Sequence, residues 1–351
     1  MQPVQWLRAI AALMVLVFHL GSVERRYSHG PVLLDHWYWA GEFGIDLFFV
    51  ISGFIMTAST HADWHKPRKA APFLLRRILR IYPVYWEFSL MVLGCVLLKP
   101  EWVNSSATLP RDILRSFLLL PQPGNPILVV GWSLIHEMYF YLVFCLLFLL
   151  PISFRVFVYV WALLTLVAYC FFPMPPGNTL GKIVANPYTL EFISGAVAGV
   201  CYLRGVKTPW ISAVGLFGLV LFAFGAAHGS NTSHRLPRGI LCGTGGAGII
   251  YFASCLRVTR NRLSQLLSGL GDASYSLYLC HVLVVAALGH LWVRLGTGGV
   301  SAHIVWIISS IAVSCLVAWL NFCWIERPLH LYVKRRFHND APQPANPTAR
   351  A

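Results

Sequence analysis

Apolar runs of about 20 residues recur along this chain of 351 residues, and they constrain its fold more than any other feature. A helix of that length is long enough to cross the hydrocarbon core of a bilayer. With a window of about 19 residues, ten such runs stand out. They cover residues 4–22, 38–59, 76–98, 132–150, 154–172, 187–203, 210–228, 239–256, 272–292 and 304–323. The sequence predicts an all-α integral membrane protein, a single bundle of about ten transmembrane helices over residues 1–335.

The composition indicates that lipid, rather than water, is the solvent for most of the chain. Hydrophobic residues make up 57% of it and charged residues 11%, whereas about a quarter of the residues of a soluble domain are charged. The net charge of +14 would suit a nucleic-acid partner in a soluble protein, but the basic residues lie mainly at the ends of apolar runs. We therefore predict no nucleic-acid partner. The nine cysteines form no CxxC pair, and no metal site is predicted.

The distribution of basic residues predicts the orientation in the membrane. Ten spans place both termini on one side, and if that side is the cytoplasm, 18 of the 27 Lys and Arg residues lie inside. This excess follows the positive-inside rule, so both termini are predicted to be cytoplasmic. Residues 336–351 are rich in Pro and Ala and are predicted to form a disordered cytoplasmic tail.

Two polar side chains lie in the first apolar run, LRAIAALMVLVFHL. Arg8 and His19 are eleven residues apart, so a helix places them on one face, with a rise of about 16 Å between them. Ionisable side chains in a membrane helix by default face the bundle interior, where they meet a partner or a substrate. A histidine that is merely hydrogen-bonded to a neighbouring helix is the alternative for His19.

Two carboxylates interrupt other apolar runs. Asp46 lies in GEFGIDLFFVISGFIM and would cost roughly 3 kcal/mol if it were unpaired. We therefore expect a partner for it, and a cation on the first span is an obvious candidate. Glu137, in GWSLIHEMYFY, likewise requires a cation or a proton. Both carboxylates are candidates to pair with or orient His19.

Two spacing patterns add further candidates. Arg77 and Arg80, in FLLRRILRIYP, are spaced i,i+3 and share one helix face, and two guanidinium groups there can bind phosphates bidentately. Ordinary anchoring at the cytoplasmic end of a span is the alternative for this pair. Ser274, Tyr278 and His281 follow i, i+4, i+7, which predicts a polar stripe along one face of the ninth helix.

Three features have less specific interpretations. The segment GTGGAG, residues 243–248, matches G-x-G-x-x-G but lies inside an apolar run. A dinucleotide-binding loop needs a preceding strand, so helix packing through small residues explains the segment better. Glu87 and Glu191 also lie within apolar runs, but their spacing assigns them no role.

Seven segments together resemble one known family. In chain order they are LRAIAALMVLVFH, GEFGIDLFFVISGFIM, RRILRIYP, GWSLIHEMYFY, EFISGAVAG, ASYSLYLCH and IERP. They resemble the membrane-bound acyltransferase family 3, and within it the ExoZ-like exopolysaccharide O-acetyltransferases of bacteria. The resemblance extends from residue 4 to about residue 330. Each segment is weak evidence alone, but seven in family order are strong evidence.

The resemblance implies a multi-pass enzyme of the bacterial inner membrane. Such an enzyme moves an acyl group, usually acetyl from acetyl-CoA, to a hydroxyl of a carbohydrate acceptor. His19 matches the catalytic histidine of the family and Arg8 its arginine partner, while Arg77 and Arg80 match the pair associated with acyl-CoA. O-acylation needs a base or a nucleophile, and histidine can be either.

The remaining expectations follow from this assignment. We expect acetyl-CoA as the acyl donor, no metal, and two partners: a polysaccharide or lipid-linked carbohydrate acceptor and membrane lipid. Tyr278, His281 and Ser274 are second-tier or acceptor-site candidates. The alternative function is a proton-coupled secondary transporter or a flippase for a polysaccharide precursor, in which intramembrane acids and histidines relay protons. Many transporters contain internal repeats, and none is visible in this sequence.

Overall fold

The computed structural model describes residues 1–27, 32–99, 110–171, 178–205, 209–228, 235–259, 261–295 and 299–338, and within these ranges it contains helices and no strand. The helices are α1 (Gln2–Tyr27), α2 (Gly44–Thr60), α3 (Ala70–Leu98), α4 (Pro110–Phe117), α5 (Gly131–Phe144), α6 (Leu146–Leu149), α7 (Phe154–Phe171), α8 (Thr179–Val184), α9 (Tyr188–Leu203), α10 (Ile211–His228), α11 (Arg235–Cys255), α12 (Arg262–Asp272), α13 (Ser274–Leu295), α14 (Val300–Asn321) and α15 (Arg327–His338). Short 3₁₀ helices flank α2 and precede α3, and a π-helical turn, Phe322–Glu326, joins α14 to α15.

Eight helical stretches in the described part of the chain are long and apolar enough to cross a membrane. They are Gln2–Tyr27, Tyr38–Asp63, Pro67–Leu98, Gly131–Leu149, Phe154–Phe171, Ile211–His228, Ser274–Leu295 and Val300–Arg336. The prediction of an all-α integral membrane protein is therefore confirmed. The two remaining predicted spans, 187–203 and 239–256, correspond to α9 and α11, which are helical but are not among the eight. The number ten stays a prediction.

Helix α2 lies at the centre of the bundle, where close backbone contact explains its small residues. A Cβ atom on Gly53 would overlap the Phe192 carbonyl of α9, and one on Gly195 would overlap the Val50 carbonyl of α2. Only glycine allows two helix backbones to approach so closely. Asp46 lies on α2 and Glu191 on α9. The close contact between these two helices therefore determines which residues can lie next to the two acids.

The glycines of GTGGAG also pack helices together. Helix α11 contacts α10 through them, and a Cβ atom on Gly245 would lie only 2.5 Å from the backbone nitrogen of Phe222. Gly246 contacts Val50 of α2 in the same way. The segment is helical throughout, so the interpretation as a helix-packing element is confirmed.

The C-terminal boundary differs from the predicted one. Helix α15 continues to His338, which is three residues into the segment 336–351 that was predicted to be disordered. Residues 339–351 lie outside the described residues, so their predicted disorder stays a prediction.

Candidate active site

A wide cavity opens at the end of the bundle where α1 and α3 begin and α14 ends. We call this cavity of about 760 Å³ the vestibule. Met1 near one end of the chain and Lys334 near the other both line it. Its basic lining residues are Arg8, Arg76, Arg77, Arg80, Arg327 and Lys334, and its acidic ones are Asp272 and Glu326. This excess of positive charge suits an anionic ligand.

A narrower cavity, the passage, continues from the vestibule into the bundle. Its volume is about 90 Å³, and it follows α2 from Met56 back to Ile45. Arg8, Arg77 and Arg80 line both cavities, so these three arginines lie at the junction between them. The structure thus brings together three side chains that the sequence marked on two separate helices.

Among the described residues, these three arginines contact no carboxylate at ion-pair distance. Arg8 donates from Nη1 to Oε1 of Gln5 at 2.9 Å. Arg77 donates weakly to the Ser59 hydroxyl at 3.4 Å and lies over the ring of Tyr141 at 5.6 Å. Its Nε is buried and has no hydrogen-bond partner among the described residues. Across the described residues, none of the three arginines forms an ion pair. They can therefore bind a ligand phosphate at little cost.

Glu137 lies further along the passage and is held by hydroxyl groups. Ser52 of α2 donates to its Oε1 at 3.0 Å, and Tyr141, one helical turn away on α5, donates to the same oxygen. The sequence predicted a cation or a proton for this carboxylate; the partners that the described residues show are these two hydroxyls. Glu137 also lines the passage with Ser274, Tyr275 and Tyr278.

The predicted polar stripe of α13 leads from the passage to His19. Ser274 and Tyr278 line the passage, and the ring of Tyr278 lies 6.0 Å from that of His281, one turn further along. His281 in turn contacts His19, with ring centroids 4.9 Å apart. The hydroxyls of Tyr278 and Ser133 are 2.6 Å apart. Neither histidine is among the residues that line the two cavities.

The hydrogen bonds of the two histidines decide which nitrogen of His19 carries a lone pair. His281 Nδ1 lies 2.9 Å from the Leu277 carbonyl, so it must donate, and in the neutral ring Nε2 then accepts. That Nε2 lies 3.2 Å from His19 Nδ1, which is also 3.0 Å from the Val15 carbonyl. His19 therefore carries its proton on Nδ1, and its Nε2 has the free lone pair. His281 is buried, whereas His19 is only half-buried.

The expected partner for Asp46 was wrong. Asp46 is fully buried, and Arg238 of α11 donates to both of its oxygens, from Nε at 2.9 Å and from Nη2 at 2.7 Å. Arg238 also reaches Glu42 at 2.7 Å. The first span supplies no cation to this cluster, because Arg8 faces the vestibule instead. Asp46 is thus brought neither to His19 nor to the lining of the passage.

The two acids without an assigned role have different surroundings. Glu87 accepts a hydrogen bond from Asn321 Nδ2 at 2.7 Å. The Ser276 hydroxyl lies 2.7 Å from Asn321 Oδ1 and 2.6 Å from Glu326 Oε2. This network ties α3 and α13 to the IERP segment beside the vestibule. Glu191 is fully buried, and neither of its oxygens has a hydrogen-bond partner among the described residues.

Sequence reasoning missed Arg238 and Glu42. Both lie at the predicted extracytoplasmic ends of apolar runs, where charged residues are common and need no partner. The charge balance at that end of the bundle was the signal that could have found them, because a buried Asp46 requires a cation and Arg238 is a basic residue there.

In the part of the chain that the structure describes, no group of three or more His, Cys, Asp or Glu residues is arranged to hold a metal ion.

Helices that cross a membrane, a cavity lined mainly by basic residues and a pair of histidines in contact define an integral membrane protein with an internal polar site. Residues 4–322 match the family model described as an acyltransferase domain, so the chain belongs to that family and is an acyltransferase. The resemblance predicted from the seven segments is thereby confirmed.

Two relatives agree with this assignment. The chain is 30% identical over 321 residues to the exopolysaccharide production protein ExoZ of Rhizobium meliloti (strain 1021). The alignment covers 86% of this chain and 93% of that protein. It is 24% identical over 374 aligned positions to the peptidoglycan O-acetyltransferase OatA of Listeria monocytogenes, covering 92% of this chain and 54% of OatA. The chain thus spans about half the length of OatA. No solved structure matches the chain.

Proposed function

We propose that this acyltransferase moves an acetyl group from acetyl-CoA to a hydroxyl of a cell-surface or exopolysaccharide sugar at the bacterial inner membrane. The family supplies acyl transfer. One relative is named for exopolysaccharide production and the other for O-acetyl transfer to peptidoglycan, so both support a carbohydrate acceptor. The second also supports an oxygen as the acylated atom.

The observation that carries the proposal is the junction of Arg8, Arg77 and Arg80 between a wide and a narrow cavity. The nucleotide end of acetyl-CoA is bulky and carries phosphates, whereas its pantetheine arm is long and thin. A vestibule of about 760 Å³ suits the first part, and the narrower passage continues inwards from the same three arginines, in the direction that the arm would take. Three guanidinium groups at the junction would bind the phosphates and direct the thioester inwards.

His19 is the proposed base. Its Nε2 lone pair would accept the proton of the acceptor hydroxyl while that oxygen attacks the thioester carbonyl carbon. A C–O bond forms, the C–S bond breaks, and the proton then passes to the departing thiolate of coenzyme A. A positioned base of this kind contributes about 10²–10⁴ in rate. His19 as a transient acyl carrier, with the same lone pair attacking the thioester, is the alternative route.

The contacts of His19 support either route. His281 and the Val15 carbonyl both accept from its Nδ1, so the proton is held away from the reactive nitrogen. His281 is therefore a positioning residue. Glu137, Tyr278 and Ser274 line the passage through which the thioester would travel, and Glu137 would orient the acyl arm or receive a proton there.

The proposed orientation has both termini in the cytoplasm, where acetyl-CoA is made available. Met1 and Lys334 line the same cavity, which supports a shared side for the two ends of the described chain. The excess of basic residues, 18 of 27, supports the cytoplasm as that side. Acetyl-CoA would therefore enter the vestibule from the cytoplasm.

A transfer assay tests the proposal. The purified chain in lipid vesicles, given acetyl-CoA labelled in its acetyl group, should label polysaccharide from the host surface, and mild base should release the label because esters hydrolyse. The His19→Gln variant should transfer label about 10²–10⁴-fold more slowly but still bind acetyl-CoA. Movement of a lipid-linked sugar across the vesicle without labelling would overturn the proposal and favour the transporter.

A further inference from the structure

A third cavity lies at the opposite end of the bundle from the vestibule. Its volume is about 410 Å³, and residues around the starts of α5 and α9 line it. The vestibule is lined by the end of α2, including Ser59. Helices α2 and α9 run in the same direction, because Gly195 meets Val50 and Gly199 meets Thr57. The start of α9 is therefore far from Ser59, and in the proposed orientation this outer cavity faces away from the cytoplasm.

The lining of the outer cavity is aromatic, polar and basic. The side chains that matter are Trp132, His136, Tyr169, Lys182, Asn186 and Arg235. Within the described residues, its lining contains no acidic side chain. A volume of this order is typical of cavities that bind small organic ligands, about 300–1,000 Å³. The lining would repel a cation and favour an anionic ligand that also has hydroxyl groups and an apolar face.

The wall of the cavity is fixed before any ligand binds. The Tyr188 backbone nitrogen donates to Asn186 Oδ1 at 3.1 Å, so the amide nitrogen of Asn186 points to His136 and donates to its Nε2 at 3.2 Å. The proton of His136 then lies on Nδ1, which is buried without a partner among the described residues. His136 is only 8% exposed. The ring of Trp132 lies 5.8 Å from that of His136 and 5.6 Å from that of Tyr188.

The outer cavity adjoins the polar stripe that leads to His19. Trp132 lines the cavity, and its neighbour Ser133 lies on the other face of α5, where its hydroxyl is 2.6 Å from that of Tyr278. Tyr278 lies beside His281, which contacts His19. Ser133, Tyr278 and His281 thus lie between Trp132 in the outer cavity and His19.

We propose that the outer cavity binds a carboxylate-bearing sugar segment of the acceptor, next to the sugar that is acylated; this inference rests on the proposed function. The face of a sugar ring packs on the indole of Trp132, because an aromatic ring offers an apolar surface of matching size. The amide of Asn186 and the phenol of Tyr169 bind hydroxyl groups. Arg235 binds the carboxylate bidentately through its guanidinium group.

Two matched tetrasaccharides test the inference by titration against the full chain in nanodiscs of neutral lipid. Cellotetraose is the neutral probe, and its counterpart with a carboxylate at every C6 position is the anionic probe. The anionic probe should bind about tenfold more tightly, the gain expected of one charge-assisted hydrogen bond. Arg235→Ala should reduce this preference to about threefold or less. Trp132→Ala should weaken both probes, and Trp132→Tyr should restore part of the loss.

Controls separate this inference from the proposed function. Arg155→Ala removes an exposed arginine of α7 outside the outer cavity and should bind both probes as the unmodified chain does. Binding of acetyl-CoA, measured on the same samples, should be unchanged in all of these variants. If the unmodified chain did not bind acetyl-CoA, that result would count against the proposed function, independently of how the two sugar probes bind.

Three results would overturn the inference while leaving the proposed function intact. The first is equal affinity for the two probes, and the second is unchanged binding in Trp132→Ala. The third is displacement of the anionic probe when phosphatidylglycerol is added to the nanodiscs, since this would identify the basic residues as a lipid headgroup site. In each case the acceptor must bind elsewhere.

Discussion

Arginines lie in two regions of this helical bundle, and the two regions differ in whether the arginines are paired with carboxylates. Arg238 is neutralised by Asp46 and Glu42 through three hydrogen bonds of 2.7–2.9 Å. Arg8, Arg77 and Arg80 lie around two cavities, and across the described residues they form no ion pair. An arginine that is already paired has few free N–H donors and little uncompensated charge for a ligand, whereas an unpaired arginine next to a cavity can bind an anion.

This contrast assigns different roles to residues that look alike in the sequence. Burying an ion pair costs desolvation energy, and breaking it leaves an isolated charge that costs still more. The Arg238 cluster joins α11 to α2, and we infer that it stabilises the fold. We propose that the residues of the vestibule, the passage and the histidine pair bind the ligand and act on it. Substitutions in the first set should change stability, and those in the second set should change activity.

The largest effect is expected at His19. Replacing it with Gln removes the base but keeps a polar side chain, so the acetyl-transfer rate should fall by about 10²–10⁴. Thermal stability and acetyl-CoA binding should stay close to those of the unmodified chain. Near-normal turnover in this variant would make His19 a structural histidine, and the base would have to be sought at Glu137 or His281.

The next effect concerns the paired arginine. Arg238→Met should cost about 3–5 kcal/mol of folding free energy, because Asp46 then stays buried without its partner. The measurement is the midpoint of thermal unfolding in detergent, together with the yield of folded protein. Adding Asp46→Asn should recover much of the loss, since it removes the stranded charge.

A low yield does not obscure this comparison. The double variant Asp46→Asn, Arg238→Met should bind acetyl-CoA with unchanged affinity, because neither residue lines the vestibule or the passage. A loss of donor affinity in the folded double variant would show that the cluster serves the ligand after all.

A smaller effect is expected at the unpaired arginines. Arg77→Ala should weaken acetyl-CoA binding by about tenfold or more, the value of a charge-assisted hydrogen bond of about 1.5–3 kcal/mol. Arg77→Lys should restore only part of the affinity, because an ammonium group cannot form the two parallel bonds of a guanidinium. Isothermal titration with acetyl-CoA measures both variants. Arg155→Ala, outside both cavities, is the matched control. If this variant lost as much affinity for acetyl-CoA, the effect of Arg77→Ala would come from the change in net charge and not from a contact with the ligand.

The smallest effect is expected at His281. It shares the proton of His19 Nδ1 with the Val15 carbonyl, so its loss leaves one acceptor in place. His281→Leu should lower the turnover number about two- to tenfold, the value of one hydrogen bond. His281→Gln can still accept through its amide oxygen and should recover part of that loss, with the KM for acetyl-CoA unchanged in both. If Gln and Leu behave alike, the contact serves packing only.

Much of the architecture followed from the sequence because it depends on local properties. The length and hydropathy of the apolar runs predicted an all-α membrane protein, since any such run must satisfy its backbone by forming a helix. Helical periodicity predicted that Ser274, Tyr278 and His281 share one face of α13. Spacing also marked Arg77 and Arg80 as one pair, and the order of seven segments identified the family, which the match over residues 4–322 confirms.

Pairing across the bundle was decided only by the tertiary structure. Asp46 and Arg238 are 192 residues apart, and His19 and His281 are 262 apart. The sequence required a partner for each buried charge. Because each helix in a bundle has several neighbouring helices, composition and spacing do not determine which residue that partner is. Helix packing through Gly53, Gly195 and Gly245 selects among them. It directs Arg238 to Asp46 and leaves Arg8, Arg77 and Arg80 around a cavity, because backbones in contact determine which side chains can meet.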